Sequence, residues 1–186
     1  MVSIPNILTG IRLFLVPVFP IVYMSSIESA HIYASIVFIL AMFLDVLDGF
    51  IARKFNMITK LGKMFDPIAD KFMVMSVLST LAYTDRISQW FLWFVVAKEF
   101  GMMISGLFIY KNVDIVIPSN IFGKFATFTM FIFLLVSIYT KIELTPYAII
   151  MVVILLTALT TYIIQFTKMK KEKLNNENHA GRHLEI

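Results

Sequence analysis

The chain has 186 residues, 59% of them hydrophobic and only 15% charged, whereas a soluble domain is roughly 45–50% apolar and about 25% charged. That balance excludes a single soluble core, which cannot hide so much apolar side chain, and it excludes disorder. There is no cysteine, which excludes disulfides and thiolate chemistry; the formal net charge of +4 needs no nucleic-acid partner, because membrane topology accounts for it.

A chain of this length holds about six membrane helices of ~20 residues with short loops. The first apolar run is Ile7–Tyr23. Its Pro17 and Pro20 predict a kink, or a division into an interfacial piece and a spanning piece. Arg12 sits inside the run and no basic stretch precedes it, so the start does not read as a secretory signal. Further spans follow at His31 to about Arg53, Gly62 to about Tyr83, Ile87–Tyr110, about Ile121–Thr140 and Leu144–Thr167. The last is free of charge, and the others carry ionisable groups within or at the edge of an apolar run. The expected fold is an all-α integral membrane protein of six transmembrane helices with an N-terminal interfacial segment. Residues 1–168 form the membrane domain; 169–186 form a polar, lysine-rich tail, frayed and then disordered, suited to anionic lipid headgroups.

Loop charge sets the orientation. Arg53, Lys54, Lys60, Lys63, Lys111, Lys124, Lys168, Lys170, Lys171, Lys173 and Arg182 fall on one side, against Arg86 and Lys141 on the other. This bias predicts that both termini are cytoplasmic, as an even number of spans requires. Arg12, Lys71 and Lys98 are left within or near the bilayer.

Acids in membrane helices are costly and usually face a polar interior. Asp45 and Asp48 are spaced i,i+3, and Asp66 and Asp70 i,i+4, so each pair shares one helix face. The pairs flank the most basic loop, which puts all four at the cytoplasmic ends of consecutive antiparallel helices. Their mutual repulsion is relieved by protonation or by bound cations, and all-oxygen donors suit Mg²⁺ or Mn²⁺. Zinc is unsupported, because His31 lies toward the opposite face and His179 and His183 lie in the tail. Intramembrane salt bridges with Lys71, Arg53 and Lys98 are the bland alternative, but these cations are too few and too peripheral for four acids. Small residues lie one turn from the acids at Gly49, Ala52 and Gly62. They serve close helix packing or the approach of a bulky ligand. Arg53 and Lys54 add positive charge suited to phosphate.

Read as one string, Asp45, Asp48, Gly49, Ala52, Arg53, Gly62, Asp66 and Asp70 form D-x2-D-G-x2-A-R-x8-G-x3-D-x3-D. The string resembles, at every fixed position, the signature of the CDP-alcohol phosphatidyltransferases. That resemblance implies a six-helix membrane enzyme, commonly a homodimer, in the bacterial cytoplasmic membrane. It implies transfer of a phosphatidyl group from CDP-diacylglycerol to an alcohol, with release of CMP. By the same resemblance Asp45, Asp48, Asp66 and Asp70 hold a divalent cation, Mg²⁺ or Mn²⁺, and Asp70 is the general base for the acceptor hydroxyl. Gly49, Ala52 and Gly62 line the nucleotide pocket, and Arg53 holds phosphate with Lys60 nearby.

The opening Pro5-Asn6-Ile7-Leu8-Thr9-Gly10-Ile11-Arg12 resembles the P-N-x-L-T-x-x-R start of phosphatidylglycerophosphate synthases and related cardiolipin synthases. Asn6, Thr9 and Arg12 share one helical face, with Asn6 and Thr9 expected at the nucleotide and Arg12 at phosphate; an interfacial anchor helix is the alternative. Ala97-Lys98-Glu99-Phe100 resembles the A-R-E-F segment of the bacterial phosphatidylglycerophosphate synthases. Two departures stand against it: Gly106 occupies the place of an arginine, and Gly123-Lys124-Phe125-Ala126-Thr127 keeps only the first lysine of G-K-x-K-T. Lys98 and Lys124 remain as candidate phosphate ligands. The leading acceptor is glycerol 3-phosphate, with phosphatidylglycerol, and hence cardiolipin synthesis, as the alternative. A cation transporter and a non-catalytic scaffold are remote alternatives.

Overall fold

A computed structural model describes residues 4–55, 60–113, 121–140 and 145–182, with side chains described except at 4, 53, 60–67, 105–113, 170 and 172–182. The described residues form six helices: α1 (Ile4–Tyr23), α2 (Ala30–Lys54), α3 (Lys60–Tyr83), α4 (Gln89–Val113), α5 (Ile121–Tyr139) and α6 (Thr145–Arg182). Four of them carry stretches long and apolar enough to cross a membrane, at Pro5–Tyr23, Ala30–Ala52, Ile121–Tyr139 and Thr145–Met169. Helices α3 and α4, of 24 and 25 residues, match these in length and carry the intervening charges. Apolar side chains such as Phe14, Ile21, Phe43, Trp93 and Ile164 are exposed, as expected of a surface that meets lipid.

The expected break in α1 does not occur. The helix runs on through Pro17 and Pro20, so among the described residues α1 is not divided into two pieces. A proline removes the N–H that would bond the carbonyl four residues earlier. For Pro20 that carbonyl belongs to Val16, and the Ser76 hydroxyl of α3 donates to it at 2.7 Å. A neighbouring helix thus supplies the bond the proline cannot, as membrane helices require. Other hydroxyls satisfy themselves within their own helix: Ser35 donates to the His31 carbonyl, Thr80 to Ser76 and Thr84 to Thr80.

The chain divides into two compact units. The first comprises residues 1–93 and 134–144 and contains α1, α2 and α3. Helix α1 packs against both α2 and α3, which also touch each other. The buried stripes follow helical periodicity: Pro5, Thr9, Arg12 and Phe19 on α1; Ala30, Ala34, Phe38, Ala41, Leu44 and Asp48 on α2; Ala69, Met73, Val77 and Leu81 on α3. The alanines of α2 leave room for α1 to approach. Phe19 meets Phe38 edge to face at 6.4 Å and stacks on Tyr23 at 5.8 Å. Helix α3 ends in a Schellman arrangement: Arg86 N–H bonds the Leu81 carbonyl at 2.8 Å and Asp85 N–H bonds Ala82 at 3.3 Å. Asp85 takes the left-handed position usually given to glycine, with φ 54°. Arg86 then donates to the Thr140 carbonyl just past α5, at 2.8 Å.

The second unit comprises residues 94–133 and 145–186. Its buried residues include Ala126, Met130 and Phe133 on α5 and Ala148, Met151 and Leu155 on α6, again at helical spacing. Helix α6 does not stop at Lys168. It continues as one helix to Arg182, where the sequence predicts fraying and disorder. The segment from Lys168 is rich in lysine and glutamate, which have good helix propensity, and it contains no proline.

Candidate active site

The site is built on the first unit. Residues 55–59 join α2 to α3, and the two helices touch each other. The last turns of α2 carry Asp45, Asp48, Gly49 and Ala52; α3 carries Gly62, Asp66 and Asp70. Asp48 is buried at 3% exposure, whereas the Asp45 side chain is 39% exposed. Gly49, Ala52 and Asp70 are half-buried. The side chains of Arg53, Lys60, Gly62 and Asp66 lie outside the described residues, although all four positions are helical.

The feature that organises the site is Arg12. It lies on the inward stripe of α1 and its side chain is fully buried. Nη1 pairs with Asp45 Oδ1 and Nη2 with Asp48 Oδ2, so one guanidinium bridges both acids of α2. The planar fork of arginine suits this, since its two terminal nitrogens reach two acceptors at a fixed separation. Arg12 Nε and Nη1 are buried without a hydrogen-bond partner among the described residues, so the contact with Asp45 is an ion pair without hydrogen-bond geometry. The sequence offered Lys71, Arg53 and Lys98 only as the cations of a bland salt-bridge alternative, and expected Arg12 at phosphate. The signal for the two carboxylate partners of Arg12 was available: a cation on the inward stripe of an apolar helix needs a carboxylate, and Asp45 and Asp48 share one face of the next helix.

The other expected contacts of α1 are partly turned inward. Thr9 is buried, and its hydroxyl donates to the Pro5 carbonyl at 3.1 Å; Asn6 is half-buried. Lys54 leaves α2 over the rings of Phe50 and Phe55, 5.5 and 5.8 Å from their centroids. In the second unit, Lys98 pairs with Glu99 at 2.5 Å and Lys124 is exposed. Ala126, in the place of the second lysine of G-K-x-K-T, is buried at 4% exposure.

Among the described residues no three of His, Cys, Asp and Glu gather closely enough to hold a metal ion; the Asp66 side chain is not among them. The donors that are described fit a hard cation in chemistry. They are carboxylate oxygens, and Asp45 has an exposed side.

Comparison with known proteins agrees with this reading. The family model for CDP-alcohol phosphatidyltransferase matches residues 2–164. A CDP-diacylglycerol–glycerol-3-phosphate 3-phosphatidyltransferase of Bacillus subtilis is 32% identical over 145 residues, covering 71% of this chain and 74% of its own. Proteins of the same name from Rickettsia typhi and Aquifex aeolicus are 36% and 34% identical over 129 residues. They cover 69% and 67% of this chain, and 71% and 69% of their own lengths. With the acid pairs on α2 and α3 and a match over nearly the whole helical region, the chain belongs to the CDP-alcohol phosphatidyltransferase family.

Proposed function

We propose that this protein transfers a phosphatidyl group from CDP-diacylglycerol to glycerol 3-phosphate and releases CMP. The observation that carries the reading is buried Asp48 and partly exposed Asp45, both paired with Arg12, on a helix joined through residues 55–59 to the helix that bears Asp66 and Asp70. The names of the relatives support the acceptor.

In this reading Asp45, Asp48, Asp66 and Asp70 hold a divalent cation, Mg²⁺ or Mn²⁺. When bound, it neutralises charge on the pyrophosphate and on departing CMP. Gly49, Ala52 and Gly62 leave space for the nucleotide against the backbone, with Asn6 and Thr9 on the facing helix. Arg53, Lys60, Lys98 and Lys124 hold phosphate groups. Asp70 takes the proton of the acceptor hydroxyl. The hydroxyl oxygen forms a bond to the phosphatidyl phosphorus as the bond from that phosphorus to the CMP oxygen breaks. The membrane domain is residues 1–168, with 169–186 as its cytoplasmic extension. Both termini and the site face the cytoplasm of a bacterial membrane, and the enzyme works as a homodimer.

A second acceptor, phosphatidylglycerol, is favoured by one observation. Ala126 and Gly106 stand where two cations would grip the free phosphate of glycerol 3-phosphate, and Ala126 is buried. One assay separates the two. The purified chain, with CDP-diacylglycerol and Mn²⁺ or Mg²⁺, is offered glycerol 3-phosphate, phosphatidylglycerol, serine or inositol. Release of CMP and the mass of the lipid product are read. Product from glycerol 3-phosphate alone is expected; product from phosphatidylglycerol alone moves the assignment to cardiolipin synthesis, and no CMP with any alcohol refutes the function.

A further inference from the structure

We propose that Arg12 is a positioning residue for the metal-binding acids and not a ligand of substrate phosphate; this rests on the reading that Asp45 and Asp48 hold a divalent cation. Three observations carry it. The Arg12 side chain is 0% exposed, so an anion arriving from the cytoplasm finds Asp45, not the guanidinium. Nη2 hydrogen-bonds Asp48, and Nη1 forms an ion pair with Asp45. The Asp45 side chain is 39% exposed, which leaves it a face for a cation.

The bridge does two things to the pair. It cancels one of two negative charges held close together on a helix face. It also holds the two carboxylates at the separation of the guanidinium's two terminal nitrogens, by a hydrogen bond to Asp48 and an ion pair to Asp45. Groups that orient metal ligands from behind typically change metal affinity by about 10–100-fold when lost. Lysine keeps the charge but offers a single point of contact, so it cannot bridge two carboxylates in a fixed plane. Arg12→Lys therefore separates orientation from charge.

The test is Mn²⁺ binding to the full chain in detergent micelles, read from the electron paramagnetic resonance signal of free Mn²⁺ without substrate. Arg12→Lys is expected to weaken Mn²⁺ binding by about 10–100-fold, and its turnover is expected to recover as Mn²⁺ is raised. Mn²⁺ affinity equal to or tighter than wild type overturns the proposal. So does a raised KM for CDP-diacylglycerol that extra Mn²⁺ does not correct, the behaviour of a lost phosphate ligand. If the wild-type chain binds no Mn²⁺, the metal reading itself falls, which is a different result from wild-type binding that Arg12→Lys leaves intact. A second measurement needs no variant: the Arg12 Nε–H resonance of the wild-type chain is followed with Mg²⁺ added. Continued protection from solvent exchange supports the bridge, and loss of protection shows that the cation displaces Arg12 and overturns it.

Discussion

Replacing Ser76 by alanine removes the donor to the Val16 carbonyl, a 2.7 Å bond between α3 and α1. In water-free surroundings that carbonyl has no substitute partner in its own helix, which presents Pro20 four residues on. Interhelical hydrogen bonds in membranes contribute about 0.6 kcal/mol on average and up to about 1.7, and a stranded buried acceptor costs about 1–3 kcal/mol. Ser76 is half-buried, so the expected loss is about 1–2 kcal/mol, roughly a 5–30-fold shift in the folding equilibrium. The measurement is reversible unfolding in mixed micelles with increasing SDS, run as a double-mutant cycle. Pro20→Ala restores a backbone N–H aimed at Val16. In that background Ser76→Ala is expected to cost only a few tenths of a kcal/mol, giving a coupling of about 1 kcal/mol. An additive cycle, with Ser76→Ala equally harmful in the Pro20→Ala background, would refute the idea that this hydroxyl repairs the proline gap.

Asp48→Asn takes the more buried partner from Arg12 and is expected to destabilise the metal-free chain by about 3–5 kcal/mol. Asp45→Asn, at a side chain 39% exposed, is expected to cost under about 1 kcal/mol. Equal losses in the same unfolding assay would contradict the burial argument. Asp70→Asn is expected to lower turnover by about 10²–10⁴-fold while CDP-diacylglycerol still binds; a fully active variant removes Asp70 as the base. Asp85→Gly relieves the left-handed backbone at φ 54° and is expected to stabilise the chain by about 1 kcal/mol, seen as a later unfolding midpoint.

Helix positions were legible because apolar runs end at turn-forming polar residues: the boundaries at Tyr23, Tyr83 and Ile121 fall where the sequence places them. Belonging to the family was legible because the acids, glycines and arginine recur at fixed spacing along two helices. What escaped the sequence were relations between helices. Pro17 and Pro20 announce missing N–H groups, but not that Ser76, sixty residues from Val16, completes the helix at one of them. Arg12 announces a need for a carboxylate, yet choosing Asp45 and Asp48 over a phosphate requires the inward stripe of α1 to be laid against that of α2. The continuation of α6 to Arg182 was missed because polarity was taken for disorder, although its lysines and glutamates favour helix.

The Arg12 bridge also bears on how the chain enters the bilayer. An arginine within a membrane helix opposes insertion, by up to about 2.5–3.5 kcal/mol at the bilayer centre on biological scales, and Arg12 lies within the apolar stretch Pro5–Tyr23 of α1. Its counter-charges are translated later, at Asp45 and Asp48 on the following helix. A nascent chain that ends before Asp45 therefore holds α1 only loosely in the membrane. Stable insertion is expected when α2 emerges, with the first two helices entering as a pair joined by the contact between Arg12 and the two acids.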